Sequence, residues 1–334
     1  MVKIKCFAKI IGFFICLLIW NVEAYSFDSP TDTSFEINTF EQWFTGPLFT
    51  PMAITPQKEH PALEVTFGFS NQYGVYDSNW KIKNEPDFWT IFNYYDLQLG
   101  FSSVLGMEVI GSWATNFRQS VQSTHIQDTI VRLGFQVINE VQGSWIPDFR
   151  ILLQEVFPTG KYQNLNPQKN GTDLTGLGSF QTGLYLAFQK LFNLNENHKY
   201  QIRFSAGYFV PSPVHVSGFN AYGGGIGTSG KVYPGHYISI FNSGEYNLNQ
   251  RWALAYDANF QYNFKGRFSG IGGRISSYEK AQVKSVEAVT FTLAPELEYT
   301  FSKQTGMLLG AWFSIIGKNS PAFVSIFLSI LHVF

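Results

Sequence analysis

The chain has 334 residues, of which 14% are charged and 17% aromatic, and its net charge is -1. That excludes an ordinary soluble domain, with about a quarter of its residues charged, and a disordered chain, which lacks aromatics. With mean hydropathy at -0.03 and no apolar run of about 20 residues after position 24, a helical membrane protein is excluded too.

Few charges, many aromatics and middling hydropathy suit a chain whose polar and apolar residues alternate finely, which is a β-barrel composition. The near-neutral charge leaves no excess to attract nucleic acid, so no nucleic-acid partner is expected.

The chain opens with Lys3, Lys5 and Lys9, an apolar run from Ile10 to Trp20, and Val22-Glu23-Ala24. This order predicts a signal peptide over residues 1–24; an uncleaved anchor is the alternative. Both cysteines, Cys6 and Cys16, lie inside it, so the mature chain would contain no thiol. Residues 25–60 read as an irregular segment, punctuated by Pro30, Pro47, Pro51 and Pro56.

From residue 61 to 334, about 12 segments carry apolar side chains at every second position, the period of a strand with one apolar and one polar face. Leu63, Val65, Phe67 and Phe69 alternate with Glu64, Thr66, Gly68 and Ser70. The same pattern recurs near 128–137, 180–189, 200–208, 252–262 and 289–299, and less cleanly near 89–102, 106–117, 147–157, 235–247, 306–316 and 322–334. The links between segments mostly alternate long and short. Links 71–88, 158–176, 211–234 and 264–284 are long; 103–105, 191–198, 248–250 and 302–305 are short. Outer-membrane barrels have short periplasmic turns and longer outer loops.

The predicted fold is therefore all-β: a transmembrane antiparallel up-and-down β-barrel of about 12 strands, in the bacterial outer membrane. Strands can cross hydrocarbon only as a closed sheet, because an unpaired backbone group there costs several kcal/mol. The apolar face then meets outer-membrane lipid and the polar face lines the lumen. A soluble barrel with an apolar interior would show the same alternation and stays open as an alternative.

On the lumen side the pattern places Glu64, Asp96, Glu108, Asp128, Arg132, Arg150, Arg203, Asp257, Glu296 and Glu298. Such groups either line a water path or pair across it. Trp89, Trp113, Tyr200, Tyr208, Trp252 and Tyr262 are candidates for interfacial aromatic girdles.

The last segment ends in Phe334, with His332, Ile330, Leu328, Ile326 and Val324 at alternate positions before it. This resembles the C-terminal signature of bacterial outer-membrane barrels, which implies recognition by the barrel-assembly machinery. His332 departs from the usual apolar residue. Phe44-Thr45-Gly46-Pro47-Leu48, Pro158-Thr159-Gly160-Lys161-Tyr162 and Gly171-Thr172-Asp173 before Gly176 resemble a family of outer-membrane transporters named for the MetA pathway of phenol degradation. That resemblance implies a channel-like barrel for small aromatic or apolar solutes.

His215-Val216-Ser217, with Asn220 nearby, resembles the His-x-Ser pair of outer-membrane phospholipase A, but it follows Pro211-Ser212-Pro213 and falls in a loop. Gly225 to Lys231 approaches a phosphate-binding loop, except that Val232 replaces the Ser or Thr that would hold magnesium. The histidines show no ligand spacing. Neither a metal nor another cofactor is expected, nor a catalytic step. The sequence thus favours a channel or transporter passing a small-molecule solute through a polar lumen. The alternatives are a structural or adhesive surface protein and, further off, a lipid hydrolase.

Overall fold

The structure, a computed structural model, describes residues 44–277 and 279–334. The predicted signal peptide and the start of segment 25–60 lie outside the described residues. In chain order the strands are β1 (Ala62–Tyr76), β2 (Ile82–Gly100), β3 (Leu105–Arg118), β4 (Val121–Ile126), β5 (Thr129–Ile138) and β6 (Asp148–Phe157). They continue as β7 (Gln181–Asn193), β8 (Lys199–Pro211), β9 (Val214–Ser217), β10 (Ser229–Tyr233) and β11 (Tyr237–Asn247). The last are β12 (Trp252–Asn263), β13 (Arg267–Ile271), β14 (Ala288–Thr300), β15 (Thr305–Lys318) and β16 (Ser320–Val333).

Twelve of these strands close into one antiparallel barrel, each paired with its neighbours in chain order. The seam is the β1–β16 ladder, from Ala62↔Val333 to Tyr76↔Ser320. No barrel strand is left with an open edge, which hydrocarbon would not tolerate. β4 extends the ladder beside the outer end of β3, and β9, β10 and β13 form a separate three-stranded sheet.

The faces invert those of a soluble protein. Phe67, Ile326, Leu309 and Leu254 stand exposed on the outer surface, while Ser205, Ser243, Ser329, Arg150 and Glu245 are 0% exposed inside. This overturns the alternative of a soluble barrel with an apolar interior: the exposed apolar band is a lipid surface, and the protein is an outer-membrane barrel.

Rings collect toward both rims of that surface. At the outer rim Phe69 stacks on Trp89, Phe157 meets Phe180, and Tyr262 meets Phe264. At the rim that carries the short turns, Trp252 packs on Tyr299, His198 on Tyr246, and Trp145 on Phe192. Amphipathic rings settle at the lipid–water boundary, so these two belts mark the membrane's faces.

Some connections differ from expectation. Most of link 71–88 is strand, because β1 runs on to Tyr76 and β2 starts at Ile82, leaving only residues 77–81 as a turn. Asp77 caps that turn by accepting the amides of Asn79 and Lys81, which hold its carboxyl below the usual range. The Gly-rich link 211–234, expected as an irregular loop, supplies β9 and β10.

Candidate functional site

The lumen wall is built by alternation: every second residue of each strand turns inward. The structure places Glu64 and Asp96 opposite each other on β1 and β2. Glu108, Arg132 and Arg150 project inward from β3, β5 and β6. Arg203 projects from β8, Asp257 from β12, and Glu296 and Glu298 from β14. Asp128 departs from expectation. It sits in the link before β5 and accepts the amides of Gly160 (2.9 Å) and Leu177 (3.0 Å), so it anchors an outer loop instead of lining the wall. Burial lifts its carboxyl above the usual range, although both amides oppose the shift.

Two ionic groups form inside. Glu108 receives Arg132 at 3.2 Å and Arg150 at 3.0 Å, and Arg132 also donates to Gln154 at 2.7 Å. The Arg150 guanidinium lies over Gly106 and Gly134, which are cross-strand partners; a Cβ on Gly134 would come within 2.2 Å of it. The pair of missing side chains makes the niche. Across the barrel, Glu245 accepts from Gln201 at 2.7 Å and faces Arg203 at 3.6 Å. Glu245 was missed in the sequence reading because its segment, 235–247, alternates poorly.

The feature that sequence reasoning left open is the path of the N-terminal segment. Residues 44–57 cross the lumen as a strap. Its start is held by β14 and β12: Thr45 N donates to Glu298 (3.2 Å) and Phe49 N to Asp257 (2.8 Å), while the Thr50 hydroxyl also bonds Asp257. Phe49 then packs on Trp312 (4.6 Å) and edge-on to Phe327 (5.5 Å). Further on, Ser205 donates to the Pro51 carbonyl, Gln136 to the Ala53 carbonyl, and Arg150 to the Ile54 carbonyl. Thr55 N returns a bond to Gln136 at 2.9 Å. Lys58 bridges Gly100 at the base, and the chain enters β1. An irregular backbone needs outside partners for its amides and carbonyls, and here the lumen side chains supply them.

Gly46 is where the strap passes Arg203. Its φ is +94°, and a Cβ there would lie 2.8 Å from the guanidinium. Gly46→Val is therefore expected to release the strap without opening the barrel, costing about 1–3 kcal/mol locally. Limited proteolysis checks this: cleavage within 44–60 should accelerate, while the folded band on an unheated gel persists. Unchanged cleavage rates would show that the strap tolerates the strain.

At the outer mouth the connection 158–180 folds inward. Thr172 is fully buried, and its carbonyl accepts from Asn116 of β3 at 3.0 Å. Lys161 and Asp173 pair at 2.7 Å. Burial raises the Asp173 carboxyl, but Lys161 and the Asn166 amide outweigh that and leave it below the usual range. Gly160 and Gly176 meet backbone to backbone, where a Cβ on Gly160 would lie 2.5 Å from the Thr175 carbonyl. The three short motifs of the sequence thus fall on the strap and on this inward fold.

Ser217 donates to Gln163 (3.1 Å) and Asn164 (3.0 Å), while His215 stands exposed on β9 facing Lys231 of β10. The hydroxyl is thus held by two amide oxygens and shows no bond to an activating base. Among the described residues no cluster of three or more His, Cys, Asp or Glu is placed to hold a metal ion.

No family model and no curated protein matches the sequence. Among solved structures, the chain is similar to the COG4313 outer membrane channel from Pseudomonas putida F1, with a TM-score of 0.63 at 13% identity over 86% of this chain and 100% of that one. It is also similar to the translocator domain of autotransporter NalP from Neisseria meningitidis, with a TM-score of 0.44 at 9% identity over 84% of this chain and 90% of that one. The first likeness independently reproduces the fold: an outer-membrane β-barrel matched over its whole length.

Proposed function

We propose that this protein passes small molecules across the outer membrane by diffusion through its lumen. The observation that carries the reading is the polar, charged wall of a closed barrel, crossed by a strap. A purely structural barrel gains nothing from burying Glu296, both of whose oxygens lack a partner among the described residues, because desolvating an unpaired carboxylate is costly. A wall that meets water and solute has a use for such groups. The similarity to a solved outer membrane channel supports the same reading.

The finer parts of the reading follow from resemblance. The motifs now located on the strap and the inward fold support kinship with transporters of small aromatic or apolar compounds. The β16 face ending in Phe334 supports recognition by the barrel-assembly machinery. The test of the main reading is single-channel recording of the refolded chain in planar bilayers. Discrete conductance steps are expected; their absence from a demonstrably folded barrel would favour a surface-structural role.

A further inference from the structure

The lumen charges are unevenly distributed. On the β2–β6 side Glu108 is shared between two arginines and Asp96 faces inward on the neighbouring β2, so anion and cation balance locally. On the opposite wall anion dominates. Glu245 on β11, Asp257 on β12 and both Glu296 and Glu298 on β14 gather there, and among the described residues Arg203 is the cation set against them. The ladder registers set the cluster: Glu245 and Glu296 flank Ala255 in one row, Glu298 pairs with Ala253, and Asp257 pairs with Ala294. Alanines separate the acids along these rows, and all four acidic side chains are buried.

Glu296 is the informative member. It is 5% exposed, and among the described residues neither oxygen has a hydrogen-bond partner. The acidic side chains around it come from the ladder itself: Glu245 lies in its row across Ala255, Glu298 stands two residues on along β14, and Asp257 sits on the adjoining β12. Glu245 and Glu298 each keep one oxygen unbonded as well. The strap engages this wall only through neutral backbone amides and one hydroxyl, so it brings no counter-charge. The carboxylates are spread along three strands instead of converging on a point, which does not suit a chelated metal. It suits a mobile positive charge. Walls of low dielectric focus the field of such a cluster into the bore, concentrating cations and excluding anions.

We propose that the wall formed by Glu245, Asp257, Glu296 and Glu298 is a cation-selecting site, through which small positively charged solutes pass in preference to anions. This rests on the channel reading above and names the class of solute it favours. Glu296 acts at the centre, where a passing cation supplies the partner that the described residues do not.

The test is the reversal potential of the reconstituted full-length chain under a potassium chloride gradient. The expected sign is that of potassium permeating over chloride. Glu296→Gln is expected to lower the potassium-to-chloride permeability ratio about twofold or more, and Glu296→Gln with Glu298→Gln to bring it close to unity. Glu296→Asp, which keeps the charge, should restore most of the ratio. Heat-modifiable gel migration confirms that each variant is folded. A wild-type channel that prefers chloride or neither ion overturns the inference and leaves the channel reading standing. Gln variants that conduct with an unchanged ratio do the same. A folded wild-type barrel with no conductance overturns the channel reading, and this inference with it.

Discussion

Replacing residues 44–57 with a flexible Gly/Ser segment of equal length is expected to raise single-channel conductance on the order of threefold or more, since a 12-stranded barrel lies between side-chain-filled eight-stranded barrels and water-filled porins. The expectation comes from the strap's position. Its anchors lie on strands that face each other across the lumen, Asp257 and Glu298 on one wall and Gln136 and Arg150 on the other. Between them Ala53 is fully buried among Leu152, Tyr185, Ala187 and Phe209, so the strap occupies the bore and does not merely border it. The replacement removes Leu48 and Phe49 from the cluster around Phe92, Leu308 and Phe327, some apolar contact, but leaves every barrel ladder intact. Conductance that stays at the wild-type level would place the narrowest point elsewhere, at the inward fold of 158–180.

Arg150→Met is expected to cost about 3–5 kcal/mol, the usual penalty for removing one partner from a buried ion group. Three consequences add up. Glu108, 2% exposed, keeps only Arg132. The Ile54 carbonyl of the strap loses its donor. The niche over Gly106 and Gly134 receives a chain that can fill it but cannot bond within it. Urea unfolding of the barrel in lipid vesicles reads the loss. Adding Glu108→Gln should recover part of it, because the stranded charge is then removed, and the double-mutant cycle isolates the coupling. A loss below about 1 kcal/mol would mean that water already serves these groups and that the region is more open than its burial implies.

Most of the barrel could be read from the sequence because lipid and water impose opposite demands on alternate residues. Strands such as β7, with Leu184 and Leu186 set against Gln181 and Gln189, announce themselves. β15 does not. Its bulge beyond Ser314 turns Ile315 and Ile316 outward together, which breaks the period at that point. The extended hairpin of β1 and β2 was hidden for a related reason. Above the membrane neither face must be apolar, so Lys83 and Asn84 look like loop although they pair as strand.

Parity put most of these charges on one face, with Asp128 and Glu245 the exceptions, but it did not give their partners. Which arginine meets Glu108 depends on shear and on two glycines in neighbouring strands, and no local pattern encodes that. The strap was least legible of all. Its prolines show that it is irregular; where it runs depends on Asp257 and Glu298, more than two hundred positions away.

The ladder from Ala62↔Val333 to Tyr76↔Ser320 joins the opening strand of the barrel to its final one. A nascent chain arrested anywhere before its last dozen residues carries two raw flanks, and no local rearrangement can mate them. Synthesis therefore gives this protein no closed sheet until its final strand is made: closure depends on the most distant strands of the barrel finding each other, and a pairing so remote in sequence is slow to form.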